Sequence, residues 1–319
     1  MNYIKDTVCA TPALQPLSGE SFWSGLSTFA AQRTAWLSRS ISAARQFSAD
    51  LRANDPLLFH LGWIMQALIP LFAVMAFACP GTGVHAAVNP WIKPIKFATS
   101  FSTFLWTVSP MLLALRIPGW QSRIAGQAIA FGAIMEMVFL TAQAGRSAYF
   151  PGPATFTDTV IFHGTSAMIS IITTVCLWMT VLYFFNSRVA IEDKTMLAAV
   201  RCSLVIFMIG NAVGGYMLAR GAHTVGAPDG GPGMPFTNWS TVGGDLRIAH
   251  FIAIHAIQIL PLLVWAVREF MPAMPKAKRN VTLYAATAVL TLAVAGTFVQ
   301  AAMARPLVAM GQTERVARK

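Results

Sequence analysis

Three histidines and one glutamate, His163, His250, His255 and Glu136, fall inside long apolar stretches of a 319-residue chain. An ionisable side chain in hydrocarbon is costly, so each is a site candidate by default. Imidazoles are axial ligands of haem and, with carboxylates, hold Zn²⁺ or Fe²⁺. The same groups relay protons. Lys96, Gln143, Arg146 and Arg247 lie close to these stretches and would offer cations and an amide to an anionic group.

Three chemistries fit this set. The leading expectation is a b-type haem for electron transfer or redox chemistry. His163 and either His250 or His255 would supply axial imidazoles from two helices, and Lys96, Arg146 or Arg247 would pair with the propionates. Gln143 would line the same pocket, Gly164 and Ala249 would leave room for the macrocycle, and a quinone or redox partner would exchange the electrons. The second expectation is a metal-dependent enzyme acting on a lipid or other amphiphile. There His163, His250, His255 and Glu136 would hold a Zn or Fe ion with one position open for water, and Glu136 and His255 would act as catalytic acid and base. The third is a transporter, with Glu136 and His255 passing protons and the Lys and Arg side chains attracting an anion.

Each residue also has an ordinary explanation. Asn211 and Gln300 suit hydrogen bonds between helices, and Lys93, Lys96, Arg146 and Arg247 near helix ends suit snorkelling to headgroups. His60, His85 and His223 read as solvated. Several familiar sites are excluded, because no phosphate-binding GxxxxGK[ST] loop, GxSxG elbow or HExxH helix occurs. The chain departs from seven-span hydrolases of the adiponectin-receptor and alkaline-ceramidase type, having no HxxxH helix and no Asp well inside a span. Six histidines are too few for the boxes of membrane desaturases. The last span has no lysine for a retinal Schiff base. Cys9, Cys79, Cys176 and Cys202 form no CxxC pair, which argues against disulfides or a thiolate metal site.

The elements that position these residues follow from composition. Hydrophobic residues make up 55% of the chain and charged ones only 11%, with a mean hydropathy of +0.58. Runs near the roughly 20 residues that cross a bilayer lie at 61–79, 95–116, 124–145, 158–185, 198–219, 247–267 and 281–303. The expected fold is an all-α, multi-pass bundle of about seven transmembrane helices; the continuous runs lack the alternation of barrel strands. An inside N-terminus puts 14 of the 23 Lys and Arg on the inner side, which favours N-inside and C-outside. The bilayer is then the first partner, in the cell membrane, or the inner membrane if the source is bacterial. A net charge of +11 reads as attraction to anionic lipid and not as nucleic-acid binding.

Residues 1–56 read as a cytoplasmic segment without a signal peptide, 57–305 as the transmembrane domain and 306–319 as a short basic tail. Ser21 to Ala49 has the pattern of an amphipathic surface helix. In the third span Glu136 and Gln143 project within about 20° of each other, with Gly132 on the same side. In the sixth, Arg247, His250, His255 and Gln258 would share one arc of about 140° on a straight helix. The Gly- and Pro-rich stretch from about 220 to 245 is either a disordered loop or a lid, with Phe236 and Trp239 inserted over the pocket. Pro261 falls inside the sixth span and deprives the Ile257 carbonyl of its helical donor.

Overall fold

A backbone in hydrocarbon has no water to bond to, so each apolar run is driven into a helix that satisfies its own N–H and C=O groups. The computed structural model describes residues 38–79, 89–146 and 155–309, and they are mostly helical. Two compact units divide the chain, residues 1–49 and 50–319. Residues 38–54 form helix α1, which exposes Ile41 and Phe47; residues 21–37 of the expected amphipathic segment lie outside the described residues.

The second unit continues with α2 (Pro56–Ala78), α3 (Ile92–Ala114), α4 (Gly119–Gly145), α5 (Phe156–Phe185) and α6 (Lys194–Arg220). A short strand pair, β1 (Thr224–Val225) and β2 (Gly244–Asp245), is followed by α7 (Leu246–Ile254), α8 (Ala256–Phe270) and α9 (Lys276–Ala302). Six of these helices are long and apolar enough to cross a membrane, and α7 with α8 makes a seventh if the pair, bent by 41°, counts as one span. The helices start a few residues before the apolar runs because polar caps begin them. Asp55 accepts from the Leu58 amide, Asp193 from Thr195 and Asp245 from Arg247, while Thr155 and Asp158 form a reciprocal capping box. Gly221, in the left-handed region (φ 62°), ends α6.

Neighbours in sequence are neighbours in space: α2 packs on α3, α3 on α4, α4 on α5, α5 on α6, and α6 on both halves of the bent pair. Contact between α8 and α3 closes a ring of α3, α4, α5, α6 and α7/α8, with α9 outside it against α6, α7 and α8. Phe104 of α3 stacks on Phe207 of α6 at 6.0 Å, within a core that includes Met179, Tyr183, Leu204 and Ile257. Buried hydrogen bonds stitch one end: the Tyr183 hydroxyl donates to the Met111 carbonyl (2.8 Å), and Asn186 donates to that of Leu115 (2.7 Å). On the outer face of the ring the Trp106 indole donates to the Phe59 carbonyl (3.2 Å).

The bend interrupts the sixth span at His255. Pro261 removes a donor one to two turns later, and the His255 carbonyl takes bonds from both Gln258 (3.1 Å) and Ile259 (3.0 Å). Close helix approach depends on particular glycines. A Cβ on Gly62 would run into the Trp106 indole, and one on Gly132 would lie 2.7 Å from the Ile172 side chain. Gly62→Val and Gly132→Val should each lower stability by about 1–3 kcal/mol, read as a fall in the thermal midpoint of the detergent-solubilised protein. Gly215→Ala, where nothing lies within 4 Å, should leave that midpoint unchanged or raise it slightly, through the better helix propensity of alanine.

Candidate functional site

The Gly- and Pro-rich stretch between α6 and α7 is an ordered cap. β1 and β2 pair antiparallel with Thr224 opposite Asp245, and Gly233 bridges Ser240. Asp229 accepts from the amides of His223 (3.1 Å) and Thr224 (2.8 Å), which fixes the first turn of the cap. Phe236 and Asn238 take left-handed backbone (φ 62° and 56°) at its tip. A side chain on Gly244 would strike the Ala301 backbone, so the cap lies tightly against the end of α9. Phe236 is exposed, contrary to its expected insertion, whereas Trp239 meets Phe251 edge-on at 5.9 Å and Phe251 meets His255 at 4.5 Å.

Asp245 and Arg247 organise the cap. The carboxylate of Asp245, fully buried, accepts from Arg247 Nε (2.9 Å) and Nη2 (2.6 Å), from the Arg247 amide (3.1 Å) and from the Ser240 amide (2.8 Å). Arg247 Nη2 also donates to the Asn238 carbonyl. Burial alone would push the Asp245 carboxyl up, but the hydrogen bonds and charge of Arg247 hold it below the usual carboxylate range. From α3, Lys96 Nζ reaches the carbonyls of Thr237 (3.3 Å) and Phe236 (3.5 Å). Lys96 and Arg247 therefore act on the cap itself.

Glu136 of α4 is 1% exposed, and neither of its oxygens accepts a hydrogen bond. Lys93, exposed in the first turn of α3, is the cation whose charge acts on it, and Lys93 also feels Arg247. Gln143 is buried on the same face of α4 with its Oε1 unsatisfied, as the helical spacing expects. His255 Nε2 and Gln258 Oε1 are also buried, at the break between α7 and α8, where the Gln258 side chain interacts with the imidazole.

The other expected site residues are placed elsewhere. His163 is exposed on α5, outside this buried set. At 30 residues that helix is about 45 Å long against a hydrocarbon layer of about 30 Å, so its second turn can sit at headgroup depth. Arg146 forms an ion pair with Asp158 (2.9 Å) and so ties the end of α4 to the start of α5. His250 turns towards α6, where its Nδ1 lies 2.7 Å from the Gly210 carbonyl and its Cε1 lies 3.0 Å from where a Cβ on Gly214 would stand. The residues of the arc expected on the sixth span thus meet different surroundings, the cap for Arg247, α6 for His250 and the helix break for His255 and Gln258, and the straight projection holds only as far as Ile254. Among the described residues no three His, Cys, Asp or Glu side chains are grouped so as to hold a metal ion.

Comparison with protein-family models, curated proteins and solved structures gives no match. The site is therefore read from its own geometry. Sequence reasoning passed over Asp229 and Asp245 and read His223 as solvated. Asp245 had a signal, an N-cap position two residues before Arg247, but His223 had none. Expected to be solvated, its imidazole is 21% exposed and lies 3.3 Å from Asp229 and 3.9 Å from Asp245. His60 is exposed as expected, and His85 lies outside the described residues.

Burial pushes the His223 imidazole down to about 4, reinforced by the charge of Arg247 and opposed by Asp229 and Asp245. Since this is below the ordinary value of 6.5, protonation works against the folded cap. The stabilising contribution is complete above pH 6.5 and is lost as the pH falls towards 4. Hydrogen exchange at the Thr224, Ser240 and Leu246 amides, corrected for intrinsic rate, should accelerate over that interval. His223→Gln should remove that acceleration, and an unchanged pH profile in the variant would contradict the assignment.

Proposed function

We propose that this chain is a proton-coupled membrane transporter for a small anion, with its N-terminus inside the cell. The observation that carries the reading is the bare carboxylate of Glu136, at 1% exposure with no hydrogen bond to either oxygen. Such a group is short of partners in either protonation state. As an anion it has the nearby Lys93 charge but no donor, and as an acid its hydroxyl has nothing to donate to. A carrier that must take and release a proton uses this lack of commitment, whereas a packing residue does not. Lys93 and Lys96 on α3 bring positive charge to the same end of the ring, where Arg247 is already paired with Asp245, and this favours an anionic solute at its mouth. The excess of Lys and Arg on the opposite side supports the orientation.

Reconstitution into liposomes tests this with radiolabelled succinate and inorganic phosphate as probes. An inward proton gradient should drive uptake of at least one of them. Glu136→Gln should cut gradient-driven uptake by tenfold or more while leaving exchange of the same solute without a gradient. Equal driven uptake by wild type and variant would remove Glu136 from the mechanism, and no uptake of either probe by the wild type would remove the anion assignment.

His250 favours a second reading. A carbonyl only accepts, so the Nδ1 contact with Gly210 requires the proton on Nδ1 and leaves Nε2 with a lone pair. This is the tautomer that an axial haem ligand uses. His250 would then supply one axial imidazole, and a bound haem would supply one-electron chemistry. A Soret band in the purified protein that disappears in His250→Ala and persists in His163→Ala would support this reading. A colourless protein from haem-replete cells would end it.

A further inference from the structure

A groove of about 380 Å³ runs between α6 and α9, away from the ring interior. Ile206, Ile209, Val213 and Tyr216 line it from α6, and Val294 and Phe298 from α9. Its walls are apolar: the Thr291 hydroxyl turns back to the Thr287 carbonyl (2.8 Å), and the Tyr216 ring packs against Phe298 at 6.1 Å. From Ile206 to Tyr216 the lining covers eleven residues of helix, a rise of about 15 Å, which is half of a hydrocarbon layer of about 30 Å. The groove therefore reaches only the depth of one leaflet. A helix from a second copy would need a seam along the whole of α6, whose 27 residues extend about 40 Å.

One turn beyond the groove, at the last residue of α6, Arg220 lies over the Tyr216 ring at 5.6 Å and is exposed. A cation is thus held at headgroup level directly above an apolar slot of acyl-chain depth. We propose that this groove is a binding site for one anionic phospholipid, with an acyl chain between α6 and α9 and the phosphate on Arg220. The guanidinium gives charge-assisted hydrogen bonds to phosphate oxygens, and the slot removes acyl CH₂ groups from contact with other chains and places them against fixed side chains. Ala295, exposed on the α9 wall, leaves the slot open, so a large side chain there fills it without displacing the buried core.

Native mass spectrometry of the full chain, released from nanodiscs of equal phosphatidylglycerol and phosphatidylcholine, tests the site. The wild type should retain one phosphatidylglycerol in preference to phosphatidylcholine. Arg220→Gln should lower that retention about tenfold, and Ala295→Phe should abolish it for both lipids, while Arg188→Gln, a substitution at the other end of the bundle, should have no effect. Retention of both lipids alike, equal retention by wild type and Arg220→Gln, or a wild-type dimer that Ala295→Phe makes monomeric would overturn the proposal. Circular dichroism of both variants separates loss of the site from loss of the fold.

Discussion

Inside a bilayer no water replaces a missing partner, so every polar group in the ring of helices is either bonded within the protein or left unbalanced. Most are bonded, and those bonds hold helix to helix: Tyr183 to the Met111 carbonyl, Thr173 to Asn211, and His250 to the Gly210 carbonyl. A buried group deprived of its partner costs about 1–3 kcal/mol, and more if it is charged. Glu136 already stands in that condition, with only the charge of Lys93 on α3 acting on it and no hydrogen bond. Packing would be as well served by a leucine there. Other buried atoms also lack a partner, but among the described residues Glu136 is the one carboxylate in that condition, and a group that can carry a full charge is where the cost of the departure is greatest.

The spans were legible because they depend on the one property a sequence displays openly, the length of apolar runs. Their starts were displaced by a few residues because caps such as Asp55 and Asp193 are polar and lie outside those runs. The relation between Glu136 and Gln143 was also legible, since α4 is unbroken between them. The polar arc of the sixth span was not. Its projection assumed a straight helix, and the break at His255 reorients everything after Ile254. Pro261 was visible, but the size of the bend that it permits depends on what α3 and α6 pack against.

The stretch from 221 to 245 was the least legible, because its glycines and prolines look alike whether a loop is ordered or not. What orders it is long-range: Lys96 of α3 reaches the Phe236 and Thr237 carbonyls across 140 residues of chain, and Asp245 gathers Ser240 and Arg247. The ion pair of Arg146 was not legible for a related reason. Its partner Asp158 is a capping residue of the next helix, and pairing across a turn leaves no periodic signature.

The charges at this end of the ring do not contribute equally. Arg247 is already engaged by Asp245 and the Asn238 carbonyl, so its positive charge is largely compensated where it stands. Lys96 gives its ammonium to two cap carbonyls, which are dipoles and leave its charge in place. An anion approaching Glu136 on the transport reading would compete with those carbonyls for Lys96. Loosening Lys96 frees the tip of the cap at Phe236 and Thr237 but not its root, where Asp229 and Asp245 hold the strand pair. Binding and opening would then be coupled through one ammonium group, with the tip moving and the root acting as its hinge.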